Sequence, residues 1–180
     1  KNVGQMFYCV DKNEKYYHFG INKDVMGNQK IPAKDDPVKK VLNDNGSVLI
    51  YTAKASIYNR KAFERFDKYI RLCNYIEENK IDKYISELKM YLGAEDDRKK
   101  FHYSFMIDML KRGIVIHHGS LPLHARMVIE KFTVDGFCKI CFATSTLEQG
   151  INMPFDLVYL NKFEASKSLS LKNLIGRAGR

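Results

Sequence analysis

Two arginines near the end of the chain have a spacing that suits phosphate chemistry. Arg177 and Arg180 stand three positions apart in the sequence GRAGR, with only small residues between them. We expect the start or first turn of a helix here, which would project both guanidinium groups on one side. Guanidinium groups held in this way can stabilise the charge that develops on a γ-phosphoryl group during its transfer. The spacing is equally consistent with two exposed charges on a helix surface.

Small, hydroxyl-bearing or basic residues directly follow three predicted strands: Lys54, Gly119, Ser120, Thr144 and Ser145. Glycine and small polar residues let a phosphate approach backbone N–H groups closely, and each turn precedes a predicted helix whose positive end favours an anion. The alternative is that the Ser and Thr residues only cap these helices. Three such turns on one sheet edge favour contact with the phosphates and sugars of a nucleic-acid strand, without reading its sequence.

The elements that must position these residues alternate between strands and helices. Apolar periodicity and β-branched runs predict strands over 47–52, 114–118, 139–143 and 156–161, and helices over 62–76, 81–92, 101–110, 121–134 and from 171 onward. Strands separated by helices indicate an α/β fold, a parallel sheet with helices on both faces. In such sheets ligands bind off the carboxyl ends of the strands.

The first 37 residues have a different pattern. Alternating apolar and polar residues before and after a polar break at 11–14 predict a β-hairpin. Gly, Asn, Pro and Asp residues over 27–37 predict a loop or linker. We expect 1–37 to be a hairpin and linker from a preceding domain, and 38–180 to be the α/β domain, with a helical insertion over 58–103.

Composition narrows the class of protein. The 180 residues are 45% hydrophobic and 28% charged, which suits one α/β domain with a buried core and excludes a disordered tail or a disulfide-stapled miniprotein. No apolar run approaches the ~18 residues of a membrane-spanning helix. The net charge of +9, from 30 Lys and Arg against 21 Asp and Glu, is spread evenly and favours a polyanionic partner.

The N-terminus has neither an initiator Met nor the residue order of a secretory signal, which indicates a fragment of a longer protein. Four scattered cysteines do not form a disulfide framework. We therefore expect a cytoplasmic protein, or a nuclear or nucleoid-associated one, without a membrane partner.

Four segments in order resemble a known family. They are VLIYTAKAS (48–56), HHGSLPLHARMVIEKF (117–132), ATSTLEQGINMP (143–154) and NLIGRAGR (173–180). Together they resemble the second RecA-like lobe of superfamily-two DExH/DEAD helicases, above all the DExH branch of the Ski-type RNA helicases and related DNA-repair helicases. The resemblance implies a RecA-like parallel sheet and a part in ATP-dependent movement along nucleic acid.

The resemblance also implies roles by position. The residues facing ATP would be the catalytic Arg177 and Arg180, with Gly150, Asn152 and Gly176 near the nucleotide. Thr144 and Gly119 would contact the backbone of the strand, and the turn residues Ser145 and Lys54 join them as candidate nucleic-acid contacts. Asn173 stands where such families carry Gln, which leaves the role of that position open.

Half of an ATPase site is missing from the sequence. No G-x-x-x-x-G-K-[ST] loop occurs, and no predicted strand ends in a DExx box. We expect ATP and Mg²⁺ to be held mainly by a first RecA-like lobe, so that this chain alone would not hydrolyse ATP. The expected partners are that first lobe and single-stranded or partly duplex RNA or DNA.

Other functions stay open at this point. A RecA-like module kept as a binding adaptor and a double-strand translocase of a restriction or defence enzyme, which moves without unwinding, would use the same lobe. A metal site is not expected. Cys138 and Cys141 lack a second pair, and adjacent His117 and His118 on a strand would face apart.

Overall fold

The computed structural model describes the backbone of residues 5–9, 14–18, 29–32, 36–93, 97–144 and 153–161, and the side chains of 36–93, 103–144 and 153–161. The chain divides into two compact units, Lys1–Lys40 and Val41–Arg180. Each unit has its own sheet.

The first unit contains a three-stranded antiparallel sheet in the order β1-β2-β3, formed by Gln5–Cys9, Glu14–His18 and Gln29–Pro32. The predicted hairpin is confirmed, with Gln5 opposite His18 and Cys9 opposite Glu14. The loop prediction is wrong over β3. Pro32 lowers the strand propensity of this segment, but β3 lies at the sheet edge, where a proline that cannot donate is tolerated.

Helix α1, Pro37–Asn43, begins inside the same predicted loop. The Asp36 carboxylate accepts hydrogen bonds from the backbone N–H groups of Val38, at 3.0 Å, and Lys39, at 3.2 Å. Asp36 therefore caps the helix, and Pro37 occupies its first position, where a missing N–H costs nothing. The Asp-Pro pair that indicates a turn is here a helix start.

The second unit alternates strands and helices. After α1 come β4 (Val48–Tyr51), α2 (Lys54–Tyr58), α3 (Lys61–Arg65), α4 (Asp67–Ile70), α5 (Glu78–Leu92), α6 (Asp97–Leu110), β5 (Ile114–His117), α7 (Leu123–Val134), β6 (Ile140–Ala143) and β7 (Leu157–Leu160). The four strands form a parallel sheet in the order β5-β6-β4-β7, with Tyr51 opposite both Ala143 and Leu160. The predicted α/β architecture is confirmed. Because the strands are parallel, their carboxyl ends lie at one edge, which we call the carboxyl edge.

The core surrounds the central strands. Every residue of β4, β5 and β6 is buried. Since successive side chains of a strand point to opposite faces, this burial means that both faces of the sheet are covered. The Phe142 ring of β6 lies 4.6 Å from the Phe63 ring and 6.0 Å from the Phe66 ring, centroid to centroid.

The described part of the segment 58–103 contains the helices α3, α4 and α5 and the first half of α6, and α5 packs into this core. The Tyr84 ring of α5 contacts the Phe132 ring of α7 edge to face, at 5.4 Å. The Tyr84 hydroxyl donates a hydrogen bond to Asp135, and burial together with this carboxylate raises the pKa of Tyr84 to about 12. The segment is thus tied to the sheet domain by α5 and α7.

The single helix predicted over 62–76 is wrong. It is two short helices, α3 and α4, followed by irregular backbone up to α5. The break lies at Phe66, with φ −102° and ψ 11°, whose ring packs against Phe142 and, at 5.0 Å, against Tyr159 of β7. Aromatic packing on the sheet has overridden the helical period here. None of the helices within the described ranges is long and apolar enough to cross a bilayer.

Candidate nucleic-acid interface at the carboxyl edge

The turns at the carboxyl edge are tied to neighbouring strands by backbone hydrogen bonds. The Thr52 N–H donates to the Ala143 carbonyl oxygen at 2.9 Å, and the Thr144 N–H donates to that of His117 at 3.3 Å. The Asn161 N–H likewise donates to the Tyr51 carbonyl oxygen at 3.0 Å. The ladder therefore continues one residue past β4, β6 and β7, and it holds that residue in place.

Two of these turns are joined by side chains. The Lys54 ammonium donates a hydrogen bond to the Ser120 hydroxyl, although the two residues are 66 positions apart in sequence. Lys54 and Ser120 are both exposed, and so is Gly119, which precedes Ser120 in the same turn. The same ammonium lies 5.5 Å from the centroid of the Tyr58 ring. A cation, a hydroxyl and a glycine turn thus meet at one solvent-facing point.

His118 supports the Gly119–Ser120 turn. Its side chain is buried, and its Nδ1 accepts a hydrogen bond from the Ser120 N–H at 3.2 Å. Burial and the nearby Lys54 charge lower the pKa of His118, so the ring is neutral at pH 7. Because Nδ1 is the acceptor, the bond assigns the ring proton to Nε2.

The capping interpretation is wrong for the two turns that the structure describes. The N-cap residue of α2 is Ala53 and that of α7 is Pro122, and neither makes a side-chain capping bond. Ser120 is instead engaged by Lys54 and His118. Because the Ser120 hydroxyl does not cap a helix, it is available for contacts at the carboxyl edge. Helix α2 has only five residues, so its dipole adds little attraction for an anion.

Thr144 lies beneath this surface. It is 5% exposed, at the point where β6 ends. The sequence-predicted contacts Lys54, Gly119 and Thr144 therefore share the carboxyl edge, where the first two are exposed and the third is buried.

The end of β5 is anchored to α7 by a pair that sequence reasoning missed. His117 is fully buried, and its Nε2 lies 3.4 Å from Glu130 Oε1. This contact fixes the strand that leads directly into His118 and Gly119. Nothing in the spacing of two residues on separate elements could have indicated the pair, since it depends on how α7 crosses the sheet.

Cys73, Cys138 and Cys141 are buried side chains of the core. Burial raises the pKa of Cys138 to about 12 and the pKa of Cys73 to about 11, and it raises that of Cys141 as well. These thiols are therefore protonated and poor metal ligands. In the part of the chain that the structure describes, no three His, Cys, Asp or Glu residues are grouped as a metal site would require.

The predicted nucleotide-facing residues lie outside the described residues. They are Gly150, Asn152, Gly176, Arg177 and Arg180, together with Asn173 and the candidate strand contact Ser145. Their roles stay predictions. The described residues include the candidate strand contacts Lys54, Gly119 and Thr144.

Comparison with known proteins identifies the family. Residues 64–180 match the helicase conserved C-terminal domain. The chain is 32% identical to the Hachiman protein HamB of Bacillus cereus over 145 residues, covering 76% of the chain and 12% of that protein. It is 26% identical to the ATP-dependent DNA helicase Hel308 of Caldivirga maquilingensis over 189 residues, covering 95% of the chain and 24% of that protein.

The chain is also 30% identical to the antiviral helicase SKI2 of Saccharomyces cerevisiae over 135 residues, covering 69% of the chain and 10% of that protein. It spans about a quarter or less of the length of these relatives. The family match covers more than half of the chain and includes β5, β6 and β7 of the parallel sheet. The chain belongs to the helicase conserved C-terminal domain family, as the second RecA-like lobe of a superfamily-two DExH/DEAD helicase.

Proposed function

We propose that this lobe holds the phosphate backbone of a nucleic-acid strand at its carboxyl edge and presents Arg177 and Arg180 to ATP. The ATP and its Mg²⁺ would be bound mainly by a first RecA-like lobe. Hydrolysis then requires both lobes, because one cradles the phosphates while the other supplies the guanidinium groups. Closure of the two lobes on a strand when ATP binds, and their opening when it is lost, would drive movement along the strand.

The observation that carries this proposal is the exposed junction of Lys54 with the Gly119–Ser120 turn. Among the described side chains, Lys54 has no ion-pair partner, and its ammonium is satisfied by a neutral hydroxyl. A charged hydrogen bond to a phosphate oxygen is roughly twice as strong as a neutral one, so a phosphate can displace this hydroxyl favourably. The absence of a side chain at Gly119 lets the strand approach the backbone.

The burial of His118 and His117 supports the same role. His118 accepts a hydrogen bond from the Ser120 N–H of the turn, and His117, at the end of β5, contacts Glu130 of α7, so the contact surface exists before a strand arrives. Because this surface is already ordered, strand binding costs little conformational entropy. A contact made only to phosphate and sugar therefore keeps its affinity. Thr144, which is buried at the end of β6 and donates its N–H to the His117 carbonyl oxygen, would support this contact.

Lys54→Ala should weaken strand binding because it removes one phosphate contact. We expect a loss of a few-fold in affinity at low salt, similar for strands of different sequence, because phosphate contacts carry no sequence information. The slope of log affinity against log salt should fall by roughly 0.7, the value for one phosphate contact on a single strand. Fluorescence anisotropy with labelled DNA and RNA strands over a salt series measures both quantities.

Lys139→Ala is the matched control. Lys139 also donates hydrogen bonds to a distant residue, Asn45, at 2.9 Å and 2.6 Å, but it lies at the opposite edge, just before β6. Its removal should leave the salt slope unchanged. An unaltered slope for Lys54→Ala, or the same decrease for both variants, would remove the assignment of the carboxyl edge as the strand-binding surface.

A further inference from the structure

One aromatic side chain at the carboxyl edge lies outside the core. Tyr58, the last residue of α2, is 60% exposed, whereas its neighbour Ile57 is buried. Within the described side chains, large exposed aromatic rings occur only at Tyr58 and Tyr75. The ring of Tyr58 therefore stands on the surface beside the proposed phosphate contacts rather than in the core.

The ring is nevertheless held in place. The Lys54 ammonium lies 5.5 Å from its centroid. The centroid of the buried His118 ring is 5.3 Å away, with the two ring planes at 46°. A tyrosine fixed between a cation and a buried ring has already lost much of its rotamer freedom, so a ligand that stacks on it has less side-chain entropy to remove.

The surroundings of Tyr58 favour an anionic ligand. Lys54, Asn59 and Arg60 are its exposed neighbours in sequence, two of them cationic. Exposed aromatic rings beside cations are the usual combination in proteins that bind single strands, because the cation contacts the phosphate while the ring stacks on a base. Stacking tolerates any sequence, since every base has a π-face.

We propose that Tyr58 is a stacking platform for one base of the strand whose backbone contacts Lys54 and the Gly119–Ser120 turn. This proposal rests on the proposed function, because it assumes that a strand lies along the carboxyl edge. It adds a contact to the base, where the proposed function includes only phosphate and sugar. The lobe would then favour unpaired nucleotides, whose bases are free to stack, over a closed duplex.

The test compares two ligands with the same number of phosphates. One is a labelled oligodeoxyadenylate, and the other is its abasic counterpart. Tyr58→Leu should lower the affinity of the chain for the adenylate about tenfold and leave the affinity for the abasic strand and the salt slope unchanged. Tyr58→Phe, which keeps the ring, should bind both ligands as the unaltered chain does.

Tyr75→Leu is the matched control. Tyr75 is 70% exposed and also lies beside a cation, with Arg112 at 5.0 Å from its ring centroid, but this pair precedes the amino end of β5. Its replacement should change neither affinity. Far-UV circular dichroism of each variant establishes that the fold is kept.

The possible failures are distinguishable. If Tyr58→Leu weakens binding of both ligands equally, or if Tyr58→Phe loses as much as Tyr58→Leu, stacking is excluded while the phosphate contact of Lys54 still stands. Stacking is likewise excluded, and the phosphate contact of Lys54 still stands, if the unaltered chain binds the two ligands with the same affinity. If the chain binds neither ligand, both the platform and the proposed function are wrong.

Discussion

Replacing Arg177 with alanine in the helicase that carries this lobe should lower ATP turnover by about a thousandfold or more. ATP should bind nearly as tightly as before, because an arginine finger acts on charge that develops in the transition state rather than in bound ATP. The loss would therefore fall on kcat, with KM for ATP little changed. Steady-state ATPase assays with a saturating strand, and equilibrium binding of a fluorescent nucleotide, measure the two effects separately.

Two further variants sharpen this experiment. Arg177→Lys keeps the charge but loses the planar fork of donors, so it should recover only a small part of the activity. Arg71→Ala removes an arginine that is 76% exposed and pairs with Asp67 within its own helical turn, and it should leave turnover unchanged. Unchanged turnover in Arg177→Ala would show that this residue does not act on the transferred phosphoryl group.

Gly113→Ala should have the largest effect on folding. Gly113 has φ +70°, and a Cβ at this position would lie 2.6 Å from the carbonyl oxygen of Phe137. Its own carbonyl oxygen accepts hydrogen bonds from the N–H groups of Lys139, at 2.7 Å, and Ile140, at 3.2 Å. The left-handed backbone and the clash with backbone atoms together should reduce the free energy of unfolding by about 3 kcal/mol.

Gly136→Ala separates the two causes. Gly136 has φ +86°, but a Cβ there would meet nothing within 4 Å. Only the strain of the left-handed backbone remains, so we expect the free energy of unfolding to fall by about 1 kcal/mol. Because the chain contains no Trp, urea unfolding is best followed by far-UV circular dichroism. Equal losses for the two variants would show that the close approach of Gly113 to Phe137 does not constrain the start of β5.

The sheet was predictable from sequence because its strands are buried on both faces. Such strands are short apolar runs, as in VLIY of β4 and IVIH of β5, and the helices between them require parallel connections. The predictions failed where tertiary contacts outweighed local pattern. At Phe66 the ring packs on the sheet and breaks the helix, and at β3 pairing with β2 overrides a proline.

The candidate site was predictable only in part. Residue types after each strand indicated that Lys54, Gly119 and Thr144 would share an edge, because parallel strands end together. The bond between Lys54 and Ser120 could not be predicted, since it depends on two turns 66 residues apart in sequence. Tyr58 was missed because the sequence does not distinguish an exposed aromatic ring from the aromatic residues that pack in the core.

The central claim is that this lobe receives a nucleic-acid strand at the carboxyl edge of its parallel sheet. Hydrogen–deuterium exchange of the chain, with and without a saturating single strand, tests it most directly, because it maps the bound surface without altering any residue. We predict slower exchange in the strand complex over 52–58 and 117–120, the turns that follow β4 and β5. Protection confined to the opposite edge, at 45–47, 111–113 and 136–139, or exchange that the strand does not change anywhere, would contradict the account.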